Sequence, residues 1–415
     1  MPATACINNV TVVDVVAGTP HSAHTVLLGG EKICAVEPAN SSNLDGLEAA
    51  ETVDGTGLFL CPGLIDSHVH FFLDSGSDPR STYLEASDKR RMEWARGNAR
   101  KAIEAGITTM RDTGAPAPLM FSFKEEVDRE TAIGPHIIAC GYALMRPKGH
   151  CHFFGGEVAD IEQLRERLEW LLELGAGFVK LMASGGGLTP GTVPHEADLA
   201  LELMREAADF ARANGLTTTA HCHATESIER AITAGLPMIE HATFVEPPGV
   251  YRYDETIARR IKEAGIAVGP TVFSALQTAQ RFRQQGASHN PSDLAAVERL
   301  EARLVNTGYF YQLGIDMMAG TDCGCTNTPF DSMVDELLTY EKAGIPVPEV
   351  VAMATCGNAR LLRMGEVGEV REGHRADLIM LAANPLESLD ALREPLRVFK
   401  AGKLVYEKPA IEAVR

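Results

Sequence analysis

Six times along this chain an amphipathic helical stretch ends in a glycine, and a short, almost wholly apolar run follows at once. The junctions read ARKAIEAG–ITTMRDTG, LEWLLELGAG–FVKLMASGG, DFARANG–LTTTAHCHA, ERAITAG–LPMIEHATF, RRIKEAG–IAVGPTVF and FYQLG–IDMMAGTD. Gly106, Gly175 or Gly177, Gly215, Gly235, Gly265 and Gly314 suit the left-handed position that closes a helix. The runs after them lack the polar–apolar alternation of a half-exposed strand, as expected where both faces of a parallel sheet are covered. Repeated helix, glycine and buried strand is the alternation of a parallel α/β fold.

Eight strands can be counted, beginning near Leu64, Ile107, His136, Phe178, Leu216, Leu236, Ile266 and Ile315. Eight βα units over residues 62–362 match a (β/α)8 TIM barrel in number and length. A doubly wound open sheet is the alternative, but GLIDSHVHFF carries no glycine-rich phosphate turn after the first strand. The two chain ends read as short strands and turns, and each is too small to bury a core alone. Residues 1–61 and 363–415 are therefore expected to form one small composite β-sandwich domain beside the barrel.

Composition narrows the partners. Of 415 residues, 45% are hydrophobic and 23% charged, and 38 basic against 56 acidic residues give −18 with neutral histidine. Such a surface repels phosphate backbones and anionic lipid, so no nucleic acid and no membrane is expected as a partner. No apolar run approaches the ~20 residues of a membrane span. The opening MPATACINNVTVVDVV reads as mature protein, and nine scattered cysteines without a CxxC pair point to reduced thiols in a cytoplasm.

Chemistry gathers at the ends of the expected strands. The first ends in Asp66-Ser67-His68-Val69-His70, and residues two apart on a strand face the same side. Alone, such a pair is equally two half-buried histidines with ordinary partners. Lys180 lies in the apolar strand FVKLM, where a lone charge is costly. It either pairs with a buried acid or carries a carbamate made from CO2, which would bridge two metals. The fifth strand ends at His221-Cys222-His223, the sixth at Glu240-His241, the eighth at Thr321-Asp322-Cys323. All would converge on the mouth where barrel enzymes keep their sites. Imidazole and carboxylate ligands suit Zn2+ or a similar divalent ion.

The order His68, His70, Lys180, His221, His241, Asp322 resembles the amidohydrolase superfamily, in its binuclear carbamyl-lysine branch. FLCPGLIDSHVH and GEVREGHRADLIMLAANPL are similar to the family's junctions between its β-domain and barrel. KLMASGGG and GHCHFFGG are similar to bacterial prolidases and Xaa-Arg/Lys carboxypeptidases, with phenylurea and molinate hydrolases as neighbours. The resemblance implies that His68, His70 and Asp322 bind a buried metal and His221 and His241 an outer one, with carbamylated Lys180 bridging. It implies attack by a metal-bridging hydroxide, with Asp322 carrying the proton to the leaving nitrogen.

In the resembling group the loop after the third strand contributes a substrate-facing histidine, which implies that role for His150 over His152, with a plain loop histidine as the alternative; His223 either meets substrate or supports the ligands. The glycines after Ser184 would let backbone approach the site. Cys323 and Cys325 read as small residues at a crowded mouth. Arg146, Lys148 and Tyr251 are candidates for recognising a carboxylate or an aryl group. The expected activity is hydrolysis of an amide-type C–N bond in a small molecule, a dipeptide or N-acyl amino acid. A carbamate, thiocarbamate or urea is the alternative, and a single-metal ring deaminase has no use for Lys180. By analogy with such barrels a homo-oligomer is expected.

Overall fold

The computed structural model describes residues 3–44, 49–284 and 291–409. The strands are β1 (Ala3–Asp14), β2 (Thr19–Gly29), β3 (Lys32–Pro38), β4 (Ala49–Asp54), β5 (Phe59–Pro62), β6 (Leu64–Val69), β7 (Ile107–Asp112) and β8 (His136–Ala139). They continue as β9 (Phe178–Met182), β10 (Thr217–Ala224), β11 (Met238–Glu246), β12 (Val250–Tyr251), β13 (Ala267–Gly269), β14 (Leu378–Leu381), β15 (Arg397–Lys400) and β16 (Lys403–Glu407).

The glycine junctions behave as their sequence predicts. Gly106, Gly175, Gly215, Gly235, Gly265 and Gly314 all take positive φ, between 65° and 94°. A side chain would strain each of these turns. Of the two glycines in LELGAG, Gly175 is the left-handed one.

Behind these turns the buried strands pair in parallel, giving a mixed α/β fold. β6, β7 and β8 form one sheet, and β9, β10, β11 and β13 run parallel in a second, with β12 antiparallel on β11. Leu144 connects the two: its N–H donates to Lys180 O at 2.8 Å, and Met182 N–H donates to Leu144 O at 2.9 Å. The eighth strand expected from Ile315 is not a regular strand. The segment 316–323 bonds to both neighbours only through isolated bridges, Val268 to Met317 and Val69 to Cys323. The reason is local. A Cβ on Gly320 would lie 2.7 Å from Ser67 Oγ, and Asp322 has φ +60°, so the chain turns out of the extended region there.

The chain ends share one eight-stranded sheet in the order β16-β15-β14-β5-β1-β2-β3, with β4 also on β1. β5 pairs antiparallel with β14, placing Leu60 opposite Met380. Short strands were expected here, yet β1 spans 12 residues and β2 11. Register shifts near Asn9, at φ +53°, bend β1 so that it takes β4 and then β5 along one edge. Ile7, Val10, Val26, Leu28, Leu378 and Phe399 fill a core separate from the one around the parallel strands. No described helix is long and apolar enough to cross a membrane.

Candidate functional site

β6 is buried along its whole length, so its polar side chains must find partners. Asp66 accepts from His68 N–H at 3.1 Å, Thr321 N–H at 3.1 Å and Thr321 Oγ1–H at 2.7 Å. That clamp fixes the 320–323 turn against β6. The left-handed backbone of Asp322 then brings Oδ1 to 3.5 Å from His68 Nε2 and 3.3 Å from His70 Nε2.

The donor pattern tests whether a cation fits. His70 Nδ1 lies 2.9 Å from Gly114 O, and a carbonyl only accepts, so Nδ1 carries the hydrogen. In the neutral ring Nε2 is then a bare lone pair facing a carboxylate oxygen. Two ligands of one tetrahedral ion bound at 2.0–2.1 Å lie about 3.3 Å apart, which is the separation found. His68 repeats the pattern, donating Nδ1–H to Glu240 Oε2 at 3.0 Å. The residues fit a divalent metal.

The second sheet delivers the other ligand types. Lys180, 1% exposed, lies beside Thr219 in the β9–β10 register and enters no ion pair among the described residues. The rings of His221, His223 and His241 have centroids 4.3–4.8 Å apart, and His68 lies 5.2 Å from His241. Ligand atoms of His221, His223 and His241 come close enough for one ion, as do those of His68, His241 and Asp322, and of His70, Asp322 and Cys325. His221 donates Nε2–H to Gly185 O at 3.3 Å, leaving Nδ1 as its lone pair. All six residues expected as ligands from the sequence line one cavity.

Burial sets the protonation states. It pushes the His68 imidazole down to about 4 and those of His221, His223 and His241 well below the usual range. These rings are neutral, the form that ligates metal. Burial likewise lowers the Lys180 ammonium. Burial opposes ionisation of Asp322, but His68, His70 and Arg303 hold its carboxyl below the ordinary range. Asp112, raised by burial, accepts from Phe71 N–H and Gly114 N–H, and so holds the loop that supports His70.

Several supporting groups were not foreseen. Glu240, fully buried, accepts from His68, from Arg111 Nη2 at 2.6 Å and from Thr219 Oγ1 at 2.7 Å. Arg111 in ITTMRDTG carried a usable signal, a charge in an apolar strand like Lys180. Thr271 Oγ1 lies 2.7 Å from His241 Nδ1, and Arg303 Nη1 donates to that same hydroxyl at 2.8 Å. Nothing in the sequence of the helix Pro291–Gln312 sets Arg303 apart from its charged neighbours.

His150 lines the cavity, its ring 4.8 Å from His221 and its Nδ1 without a partner among the described residues. His152 instead donates Nδ1–H to Gly149 O. His223 also lines the cavity and has Nδ1 2.9 Å from Thr243 Oγ1. A Cβ on Gly186 would fall 2.5 Å from the His150 ring, so the glycine run does permit close approach. Arg146 is taken up by Asp198 at 3.0 Å, Lys148 is exposed outside the cavity, and Tyr251 donates to Asn306. These three are corrected as recognition candidates. Cys323 is buried behind the site, while Cys325 donates Sγ–H to Asp322 Oδ1.

The ligand set opens into one cavity of about 590 Å³, a volume suited to a small organic molecule. Residues 59–405 match the amidohydrolase family. The chain is 26% identical over 393 residues to the ochratoxinase of Aspergillus niger, covering 85% of this chain and 76% of that one. The crystal structure of that ochratoxinase superposes with a TM-score of 0.84 at 22% identity, covering 98% and 96% of the two chains. A Xaa-Pro dipeptidase with methionine bound in its active site superposes with a TM-score of 0.87 at 22% identity, covering 97% and 100%.

Proposed function

Because the chain belongs to the amidohydrolase family, whose members hydrolyse C–N bonds, we propose that it cleaves the amide bond of a dipeptide or N-acyl amino acid at a two-metal centre. His68, His70 and Asp322 would hold one ion, His221 and His241 the other, with carbamylated Lys180 between them. The observation that carries this reading is the convergence of all six side chains, from four strands and the 320–323 turn, on one cavity. Imidazole and carboxylate donors suit Zn2+. When bound, the metals supply an activated water and polarise the scissile carbonyl.

The protein's own groups do the rest. Burial lowers the Lys180 ammonium and so favours the amine form that reacts with CO2. Its apolar strand and the absence of a paired acid among the described residues favour the carbamate over a simple ammonium. Asp322 Oδ1 faces the lone pairs of His68 and His70, with which it would hold the metal, and accepts from Cys325, which leaves Oδ2 to take a proton and return it to the leaving nitrogen. His150 and His223 face the cavity and position the substrate. Gly114 O, Glu240 and Gly185 O fix which nitrogen of His70, His68 and His221 points inward.

We also read residues 62–362 as a closed (β/α)8 barrel, with residues 1–61 and 363–415 as one small β-domain. The bridges through Leu144 and through 316–323 support the first, and the pairing of β5 with β14 the second. A screen of dipeptides, N-acyl amino acids and carbamate or urea compounds tests the substrate class. Turnover confined to the first two groups is expected; turnover of ureas or carbamates alone would replace this reading.

A further inference from the structure

The cavity is lined by four arginines, Arg80, Arg281, Arg299 and Arg303. Among the described residues none of the four enters an ion pair, although acidic residues outnumber basic ones 56 to 38. Arg303 is the most enclosed, 6% exposed on the helix Pro291–Gln312. Its Nη1 is fully used, donating to Thr271 O at 3.0 Å and Thr271 Oγ1 at 2.8 Å. Among the described residues neither its Nε nor its Nη2 has a hydrogen-bond partner. A buried guanidinium with one whole edge unpaired is costly unless a ligand completes it. Arg299 lies one helical turn away and also lines the cavity, its Nη1 held by Gly249 O at 2.9 Å.

We propose that the Nε–Nη2 edge of Arg303, seconded by Arg299, binds the free α-carboxylate of the substrate's leaving amino acid. The inference rests on the amide-hydrolase reading above and adds its recognition element. The planar edge offers two parallel N–H donors, the geometry that matches a carboxylate. Position agrees as well. Arg303 Nη1 lies 3.4 Å from His241 Nδ1 and both side chains line the cavity, so the guanidinium borders the histidine cluster. The α-carboxylate of a C-terminal residue is only three bonds from the scissile carbonyl carbon, and such closeness is what it requires. Arg146, one of the candidate cations in the sequence, is already paired with Asp198.

Binding separates this inference from catalysis. The metal-loaded full chain is titrated calorimetrically with N-methanesulfonyl-L-leucine, whose sulfonamide resists hydrolysis, and with its C-terminal methylamide. The acid should bind wild type roughly 10- to 100-fold more tightly than the methylamide. Arg303→Gln should bring the two within about threefold, and Arg303→Lys, which keeps the charge but not the paired donors, should reduce the ratio at least about fivefold. Should Arg303→Gln fail to fold, Arg303→Lys and Arg299→Gln are compared instead, with the larger loss expected at Arg303. A ratio near one in wild type, or one that survives in Arg303→Lys, would overturn the proposal and place the carboxylate on the metals. A wild type that hydrolyses dipeptides without this preference refutes the inference alone. One that shows the preference but hydrolyses no amide refutes the functional reading alone.

Discussion

Histidines reach the cavity from the ends of parallel strands, whereas arginines reach it from the helices Pro79–Glu85, Val272–Gln284 and Pro291–Gln312. The strand-borne histidines are short and each is fixed by a named partner. The helix-borne groups are long, charged and lack ion pairs among the described residues. Strand register allows a side chain two orientations, and a buried partner selects one ring nitrogen. The strand set should therefore be brittle, and the arginine set should change what binds rather than whether chemistry occurs.

The largest break is expected at Asp322. Asp322→Asn keeps the shape but removes the charge facing His68 and His70 and the proton carrier. Its kcat/KM should fall by roughly 10³-fold or more. A loss below tenfold would show that the strand side is less brittle than argued. Glu240→Gln comes next. It weakens the acceptor of His68 and leaves Arg111 without its only carboxylate among the described residues. Metal affinity, read by chelator competition, should fall roughly 10- to 100-fold. Stability to denaturant should drop by about 3–5 kcal/mol.

A shallower effect is expected from pH on the metal-free protein. His68 and His136 lie at about 4 and His150 at about 3, with His221, His223 and His241 also lowered, all chiefly by burial. Between these values and the ordinary histidine range the unfolded chain holds more protons. Stability should thus fall as pH drops from about 6.5 toward 4, by at most ~1.4 kcal/mol per pH unit for each histidine. Asp66 and Glu336, raised to about 7 by burial, and Asp112, also raised, act in the opposite sense, losing stability as pH rises through that window. The histidines outnumber them, so thermal melts from pH 7 to 4.5 should show net acid destabilisation. Zn2+ loading should change the slope.

Legibility in the sequence follows the same division. The helix-to-strand glycines and seven of the eight strand positions could be read because periodicity and burial leave few choices, and the six residues gathered at the cavity stood out as polar groups at the ends of the expected strands. The eighth strand could not, because its irregularity comes from the contact of Gly320 with Ser67 and from the left-handed Asp322, both tertiary. Glu240 and Arg111 were half visible, as charges inside apolar runs whose partnership only strand packing reveals. Arg303 was invisible. It looks like any charged residue on a long helix, and only the position of that helix over the cavity gives it a role. Arg146 lies four residues before His150, but the fold pairs it with Asp198 outside the cavity.

The central claim is that strand ends build a centre for two metals bridged by modified Lys180. The direct measurement is metal content per chain after reconstitution with Zn2+ and bicarbonate, in wild type and Lys180→Ala. The account predicts about two ions in wild type and no more than about one in the variant, with activity lost alongside. About one ion per chain in wild type, or two ions with full activity in Lys180→Ala, would contradict it.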